Sequence, residues 1–190
     1  HVSWANREVI LDKKLGAEKI KHMFDIAEKY DFPYAVVSNE DTYLSCDVSD
    51  IGDVMVINGQ YKAQKLQRTS DINGNLLWLF AKEAFDEKIT SSAAEKGMRS
   101  LRWGEEGVDI ISGDVSKKTG VKVLLEKLGI DFSEIMFFGD GDNDIELMEV
   151  AKIGVAMGNG TENLKKVSDY VTDDIEKDGI YNALVKLEII

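Results

Sequence analysis

Residues 135–144 read Ile135-Met136-Phe137-Phe138-Gly139-Asp140-Gly141-Asp142-Asn143-Asp144, and this run indicates the fold class. Residues 135–138 are apolar without alternation, which predicts a strand buried on both faces, as in a parallel sheet. The polar residues that follow lie at the carboxyl end of that strand, where open α/β sheets bind their ligands. The stretch therefore predicts a parallel α/β sheet with a ligand-binding loop at residues 139–144.

Helical and strand patterns alternate on both sides of this stretch. Before it, Ser116 can cap a helix that stops at Gly129, and the apolar residues of that helix recur at helical spacing: Val121, Leu124, Leu125 and Leu128. After it, the pattern predicts a helix at 145–151, a strand at 153–157, a helix from Thr161, a short strand at 170–172 and a helix from about Gly179. Strands separated by helices predict a doubly wound parallel sheet.

The first 112 residues have a different, α+β pattern. It predicts strands at 8–11, 34–38, 54–57 and 76–80, helices at 17–30 and 86–96, and a hairpin of strands 99–103 and 108–111. The change of pattern predicts a domain boundary near Ser112-Gly113, so that residues 1–112 and 113–190 form separate domains.

The composition argues against several classes of protein. The 190 residues carry 23 Lys+Arg and 35 Asp+Glu, a formal net charge of −12, which argues against binding to a nucleic-acid backbone. No apolar run approaches the ~20 residues of a membrane span. The single cysteine, Cys46, excludes an internal disulfide framework and a four-cysteine zinc site. We therefore expect a soluble, cytoplasmic protein without a nucleic-acid or membrane partner.

The acidic loop Asp140-Gly141-Asp142-Asn143-Asp144 places three carboxylates close together. Such carboxylates repel one another unless a cation or water separates them, and a hard divalent ion would resolve the repulsion. A solvated turn that caps the next helix is the alternative interpretation. A calcium loop of the EF-hand type is excluded, because Ile145 stands where that loop requires glycine and Ala151 where it requires glutamate.

Two lysines, Lys117 and Lys118, stand at the start of the helix that Ser116 caps. A helix N-terminus carries partial positive charge and free N–H groups, so a lysine there suits an anion. Solvated lysines are the alternative, since lysines are usually exposed. The acidic loop favours the anion site, because a cationic side chain and a hard metal ion are the two devices that phosphoryl transfer needs.

Four segments together resemble the haloacid dehalogenase (HAD) superfamily, and more narrowly its Cof-type sugar-phosphatase branch: residues 137–144, 155–160, 169–172 and 178–180. The resemblance extends nearly throughout residues 113–190. It implies that they form the C-terminal part of an α/β core with a Rossmannoid parallel sheet. From topology, it also implies that residues 1–112 form an α+β cap domain of the C2 type.

The resemblance also implies roles for individual residues. Asp140 would bind Mg²⁺, Asn143 would contact the substrate phosphate, and Asp144 would order the loop. Lys117 would hold the phosphate and the nucleophile. Lys118 is the alternative to Lys117, because the family more often has glycine at that position.

The family's chemistry begins with an aspartate that attacks the phosphoryl group, giving an aspartyl-phosphate that water hydrolyses, while a second aspartate acts as acid and base. Both belong to a D-x-D-G-T motif on the first strand, and the 190 residues contain no such motif. The missing strand–helix units correspond to on the order of 60 residues. We expect this chain alone to be inactive and to expose an unpaired sheet edge.

Three functions follow from these observations. The first is a Mg²⁺-dependent phosphatase of small phosphorylated metabolites, sugar phosphates above all. The second is a truncated, non-catalytic module that binds phosphate or metal, and the third is a phosphomutase on the same scaffold. Ser38, which follows an apolar strand, is a candidate for the family's second motif, although its neighbours fit a cap better. The sequence makes no prediction of the substrate's identity or of the oligomeric state.

Overall fold

The computed structural model of the chain describes residues 1–39, 41–47, 63–65 and 73–190. The chain divides into two compact units, His1 with Ser3–Val115, and Val2 with Ser116–Ile190. The division falls just after the boundary predicted near Ser112-Gly113. The assignment of the two units as cap and core stays a prediction.

Up to residue 115, the described ranges contain two helices and the strands of two sheets. The helices are α1 (Ala17–Lys29) and α2 (Asp86–Glu95), the latter preceded by a 3-10 turn at Glu83–Phe85. The strands are β1 (Val2–Ser3), β2 (Val9–Leu11), β3 (Tyr34–Val37), β4 (Thr42–Leu44), β5 (Ala63–Lys65), β6 (Leu76–Leu79), β7 (Met98–Gly104) and β8 (Gly107–Ser112). The strand predicted at 54–57 lies outside the described residues.

The main sheet of the first unit is mostly antiparallel. Its strand order is β5-β4-β3-β6-β8-β7, and β4 with β5 is the parallel pair. The predicted hairpin is confirmed: β7 and β8 pair antiparallel, with Leu101 opposite Asp109. The predicted α+β character of this part of the chain is therefore confirmed.

One face of this sheet packs against the two helices. Helix α1 buries Ile20, Met23 and Ala27, whose spacing places them on one side of the helix. Helix α2 buries Ile89 and Ala93 in the same hydrophobic cluster. Burial of such apolar surface is the main stabilising contribution to a unit of this size.

The second unit alternates helices and strands as the sequence predicts. Its helices are α3 (Lys117–Leu128), α4 (Ile145–Met148), α5 (Glu162–Val167) and α6 (Gly179–Lys186). Its sheet strands are β9 (Met136–Gly139), β10 (Ile153–Ala156) and β11 (Tyr170–Val171). Short 3-10 turns occur at Phe132–Glu134, Asp142–Asp144 and Ile175–Lys177.

The three strands of the second unit form a parallel sheet in the order β11-β10-β9. The predicted parallel sheet is thus confirmed. In its register Ala156 lies opposite Gly139, so the loops that follow β9 and β10 leave the sheet at the same edge. This edge positions the acidic loop beside the loop of residues 157–161.

Helix α3 has the two ends that the sequence predicts. The Ser116 Oγ accepts from the Thr119 backbone N–H at 3.2 Å, and the Thr119 Oγ1 accepts from the Ser116 N–H at 2.8 Å. Gly129 follows the helix with a φ of 68°, a conformation that favours glycine. These local bonds determine where Lys117 stands, at the first residue of the helix.

Two expectations for the second unit were wrong in detail. Met136, Phe137 and Phe138 are half-buried rather than buried on both faces. The reason is the position of β9 at the end of the sheet: in the described ranges it pairs with β10 alone. Helix α4 ends at Met148 instead of reaching Ala151. None of the helices in the described ranges is long and apolar enough to cross a membrane.

Candidate functional site

A cavity of about 320 Å³ lies in the second unit where β9 and β10 end. The residues that line it include Lys117, Gly139, Asp140, Asp144 and Asn159. Three of the four predicted site residues, Lys117, Asp140 and Asp144, therefore lie around one cavity. This position agrees with the rule that ligands bind beyond the carboxyl ends of parallel strands.

Asp144 is the buried centre of this arrangement, with 2% of its surface exposed. Its Oδ1 accepts from the Lys117 Nζ at 2.5 Å. Its Oδ2 accepts from the backbone N–H groups of Asp140 at 3.1 Å and Gly141 at 3.2 Å. Asp144 therefore contacts both the lysine and the start of the acidic loop.

Gly139 lets the loop close around Asp144. A Cβ at this position would lie 2.8 Å from the Cβ of Asp144, closer than such atoms approach in proteins. Any larger residue would push the buried carboxylate away from its donors. The glycine at the end of β9 is thus a requirement of the site's geometry.

Lys117 is the lysine that the structure places at the cavity. Its side chain is 49% exposed, so the ammonium contacts Asp144 on one side and the cavity on the other. A lysine ammonium has three donor hydrogens, and the bond to Asp144 uses one. Lys118 does not line this cavity in the described part of the chain. The geometry favours Lys117 over the alternative.

Asp140 is the carboxylate available to a metal ion. Its side chain is exposed, and no described residue donates a hydrogen bond to its carboxylate oxygens. Mg²⁺ typically binds one or two carboxylates and completes its shell with water and substrate phosphate. Within the described ranges no group of three His, Cys, Asp or Glu side chains is placed to hold a metal. Asp140 is therefore the carboxylate of this loop that could hold Mg²⁺, the role that the family resemblance implies for it.

Asp142 has different hydrogen-bond partners from Asp140 and Asp144. Its Oδ1 accepts from the Thr161 Oγ1 at 2.5 Å, and its Oδ2 accepts from the Asn163 Nδ2 at 3.2 Å. The carboxylate thus fastens the loop after β9 to the start of α5. Asp142 and Asp144 thus have hydrogen-bond donors at both oxygens, and Asp140 is the carboxylate of the loop without a described donor.

Two other candidates lie away from the cavity lining. Asn143 is exposed in the turn before α4 and is not among the residues that line the cavity, so its contact with phosphate stays a prediction. Ser38 belongs to the first unit, in the turn between the antiparallel strands β3 and β4, where its Oγ donates to the Asp41 carbonyl. Cys46 is half-buried.

Asn159 lines the cavity but is not among the site residues predicted from the sequence. The Asn159 Oδ1 accepts from the backbone N–H of Ile175 at 3.1 Å. The available signal was its place in the first loop after β10, the strand beside the one that carries the acidic loop.

Comparisons with known proteins identify the family of this chain. The family model described as haloacid dehalogenase-like hydrolase matches residues 1–184. The chain is 30% identical over 185 residues to the Bacillus subtilis (strain 168) protein named "Putative phosphatase YkrA", an alignment that covers 96% of this chain and 71% of that protein.

Solved structures with the same fold include two relatives. The chain matches the HAD subclass IIB sugar phosphatase BT4131 with a TM-score of 0.85 and 27% identity, over 98% of this chain and 72% of that one. It matches BT1666 from Bacteroides thetaiotaomicron, named among HAD phosphatases, with a TM-score of 0.84 and 26% identity, over 99% and 70%. The predicted HAD-like α/β fold is confirmed, and the chain belongs to the haloacid dehalogenase-like hydrolase family.

Proposed function

We propose that this protein is a Mg²⁺-dependent phosphatase that hydrolyses small phosphorylated metabolites, with sugar phosphates as the expected class. The observation that carries the proposal is the arrangement of three side chains around one cavity. Asp144 is buried and holds the cationic Lys117, while Asp140 keeps a free carboxylate beside them. A fixed cation next to a free carboxylate suits a doubly charged anion and a metal ion together.

Each side chain has a definite part in the proposed reaction. Lys117 binds a phosphoryl oxygen through the donor hydrogens that Asp144 leaves free. Asp144 keeps the ammonium and the Asp140 backbone in place, which lowers the reorganisation needed when substrate binds. Asp140 would hold Mg²⁺, and Asn143 would contact the phosphate. When bound, the metal ion supplies Lewis-acid polarisation of the phosphoryl group.

The attacking group of the proposed reaction is an aspartate that these 190 residues do not provide. No D-x-D-G-T motif occurs in them, and Asp140-Gly141-Asp142 lacks the Gly-Thr that completes it. We propose that sequence outside the 190 residues supplies this motif. The chain alone should then bind phosphate without turning over an ester, since binding and polarisation do not form the covalent intermediate.

The substrate class has support from the relatives. BT4131 is named a sugar phosphatase, and its structure superposes on nearly the whole chain. The net charge of −12 makes a large polyanion a poor substrate, whereas a small phosphorylated metabolite can enter a local site with one lysine. The proposed partner is therefore a small phosphate ester.

Phosphate release is the test of this proposal. The gene product with its in-frame upstream sequence is assayed with p-nitrophenyl phosphate and a panel of sugar phosphates, with Mg²⁺ and with EDTA. We expect Mg²⁺-dependent turnover that falls at least about a hundredfold in Lys117→Gln and changes little in Lys118→Gln. Absence of turnover by the folded protein with every ester would contradict the proposal.

A non-catalytic module that binds phosphate or metal is the second candidate, because the missing motif favours it. The two candidates differ in what precedes residue 1. An in-frame apolar strand followed by D-x-D-G-T supports the phosphatase, and a start codon directly at this point supports the module. Product analysis in the same assay separates hydrolysis from phosphoryl transfer to a second position of the sugar.

A further inference from the structure

The loop Gly158-Asn159-Gly160-Thr161 follows β10 and packs against two other loops of the second unit, those that contain Asp140 and Asp174. A Cβ on Gly160 would lie 3.3 Å from the Asp140 Cα, and a Cβ on Gly158 would lie 2.6 Å from the Asp174 Oδ1. The Thr161 N–H also donates to the Asp140 carbonyl at 3.0 Å. The loop therefore follows the backbone of the metal-binding candidate at close range, and neither glycine leaves room for a side chain.

Asn159 is the residue of this loop that lines the cavity, together with Lys117 and Asp140. Its amide is oriented by one bond, from the backbone N–H of Ile175 to Oδ1 at 3.1 Å. An N–H group can only donate, so the atom it contacts must be the amide oxygen, and the NH₂ group is the other end. No hydrogen bond from Nδ2 to any described residue occurs in the structure.

Lys117 and Asn159 are two side-chain donors of this cavity lining, which also contains the carboxylates of Asp140 and Asp144. Lys117 provides the positive charge, and the neutral Asn159 NH₂ group adds two donor hydrogens without adding charge. A phosphoryl group offers three acceptor oxygens, more than one ammonium can satisfy. Asn143, the residue to which the family resemblance gives the phosphate contact, does not line the cavity.

We propose that the Asn159 Nδ2 donates a hydrogen bond to a phosphoryl oxygen of the ligand held by Lys117. The inference rests on the proposed function and adds a second phosphate-binding side chain to it. Ile175 has the role of orienting this donor through its backbone N–H.

Nuclear magnetic resonance of the 190-residue chain tests the proposal with inorganic phosphate as the probe, in the presence and absence of Mg²⁺. We expect millimolar phosphate to shift the side-chain NH₂ resonances of Asn159 along the same binding curve as the Lys117 ammonium. Asn159→Asp and Asn159→Ala should each weaken phosphate binding by about tenfold, the usual effect of losing one hydrogen bond to a charged group.

The two variants separate a contact from a structural role. Asn159→Asp keeps an oxygen acceptor for the Ile175 N–H and loses the donor, but it also adds a negative charge that repels phosphate. The response of the Asn159 NH₂ resonances in the unmodified chain, together with the affinity of the uncharged Asn159→Ala, therefore distinguishes a contact from a structural role. The Ile175 amide shift reports whether the bond to residue 159 persists. Lys122→Gln changes the net charge by the same amount on an exposed part of α3 and should bind phosphate like the unmodified chain.

Three results would overturn the inference: unmoved Asn159 NH₂ resonances while Lys117 responds, wild-type affinity in Asn159→Asp, or no phosphate binding by the unmodified chain. The outcome is separable from that of the proposed function. Turnover that is unaffected by Asn159→Asp overturns this inference alone. A phosphate contact at Asn159 without turnover of any ester by the longer gene product overturns the phosphatase alone.

Discussion

Replacing Asp144 by Asn removes the one charge that three donors share. The Lys117 Nζ lies 2.5 Å from Oδ1, and the N–H groups of Asp140 and Gly141 lie 3.1 and 3.2 Å from Oδ2. An asparagine has almost the same shape but only one oxygen. Its NH₂ group must face either the ammonium or the two backbone donors, and neither can accept a hydrogen bond.

The expected loss of stability follows from these contacts. A hydrogen bond to a charged group contributes about 1.5–3 kcal/mol, and a neutral acceptor about 1 kcal/mol. The ion pair itself adds at most about 1 kcal/mol, because Lys117 is 49% exposed and water screens it. We therefore expect Asp144→Asn to lower the free energy of unfolding by about 2–4 kcal/mol.

Urea unfolding followed by far-ultraviolet circular dichroism measures this loss, and hydrogen exchange of the Asp140 and Gly141 amides locates it. Lys117→Gln is the matched variant: water can replace a half-exposed ammonium, so its cost should stay below about 1 kcal/mol. The reasoning is refuted if Asp144→Asn unfolds within about 0.5 kcal/mol of the unmodified chain, or if Lys117→Gln is the more costly change.

Three further predictions concern stability and ionisation. Gly139→Ala should cost about 1–3 kcal/mol in urea unfolding, because its Cβ would lie 2.8 Å from the Asp144 Cβ; a neutral result would contradict the assigned geometry. Burial raises the pKa of Asp109 to about 6, against the indole N–H groups of Trp103 and Trp78 that lower it, so the folded state binds the proton more tightly than the unfolded state. The free energy of unfolding should therefore fall as pH rises from about 4 to 6. Asp109→Asn should remove that fall, so that between acid and neutral pH this variant gains about 2–3 kcal/mol relative to the unmodified chain. Hydrogen bonds from the Lys13 ammonium and then the Ser112 hydroxyl lower the pKa of Asp114 to about 2, so Lys13→Met should raise this pKa toward its ordinary value in a titration followed by nuclear magnetic resonance.

Much of the second unit follows from local signals in the sequence. The capping residues Ser116 and Gly129 predict both ends of α3, because each acts through backbone groups within one turn. The apolar runs predict β9 and β10 for the same reason: a strand in a parallel sheet needs no alternation of polarity. Such features depend only on residues that are close together in the sequence.

Other features depend on what packs against an element. Phe137 and Phe138 are half-buried because β9 lies at the end of the sheet. The apolar composition of a strand does not reveal its position in the sheet. The choice between Lys117 and Lys118 is similar. Neighbouring residues on a helix point about 100° apart, so periodicity predicts that one of them faces the site without saying which one.

Local patterns were sufficient to predict the order of helices and strands in residues 116–190 and the position of an acidic loop after an apolar strand. The contacts of each carboxylate in that loop depend instead on tertiary structure. Asp144 meets a lysine 27 residues away, and Asp142 meets a threonine 19 residues away, whereas Asp140 meets no donor in the described chain. A hydrogen-bond donor competes with a metal ion for the lone pairs of a carboxylate, and the side-chain donors to Asp142 and Asp144 come from elements distant in sequence. Chain folding alone brings them to the loop.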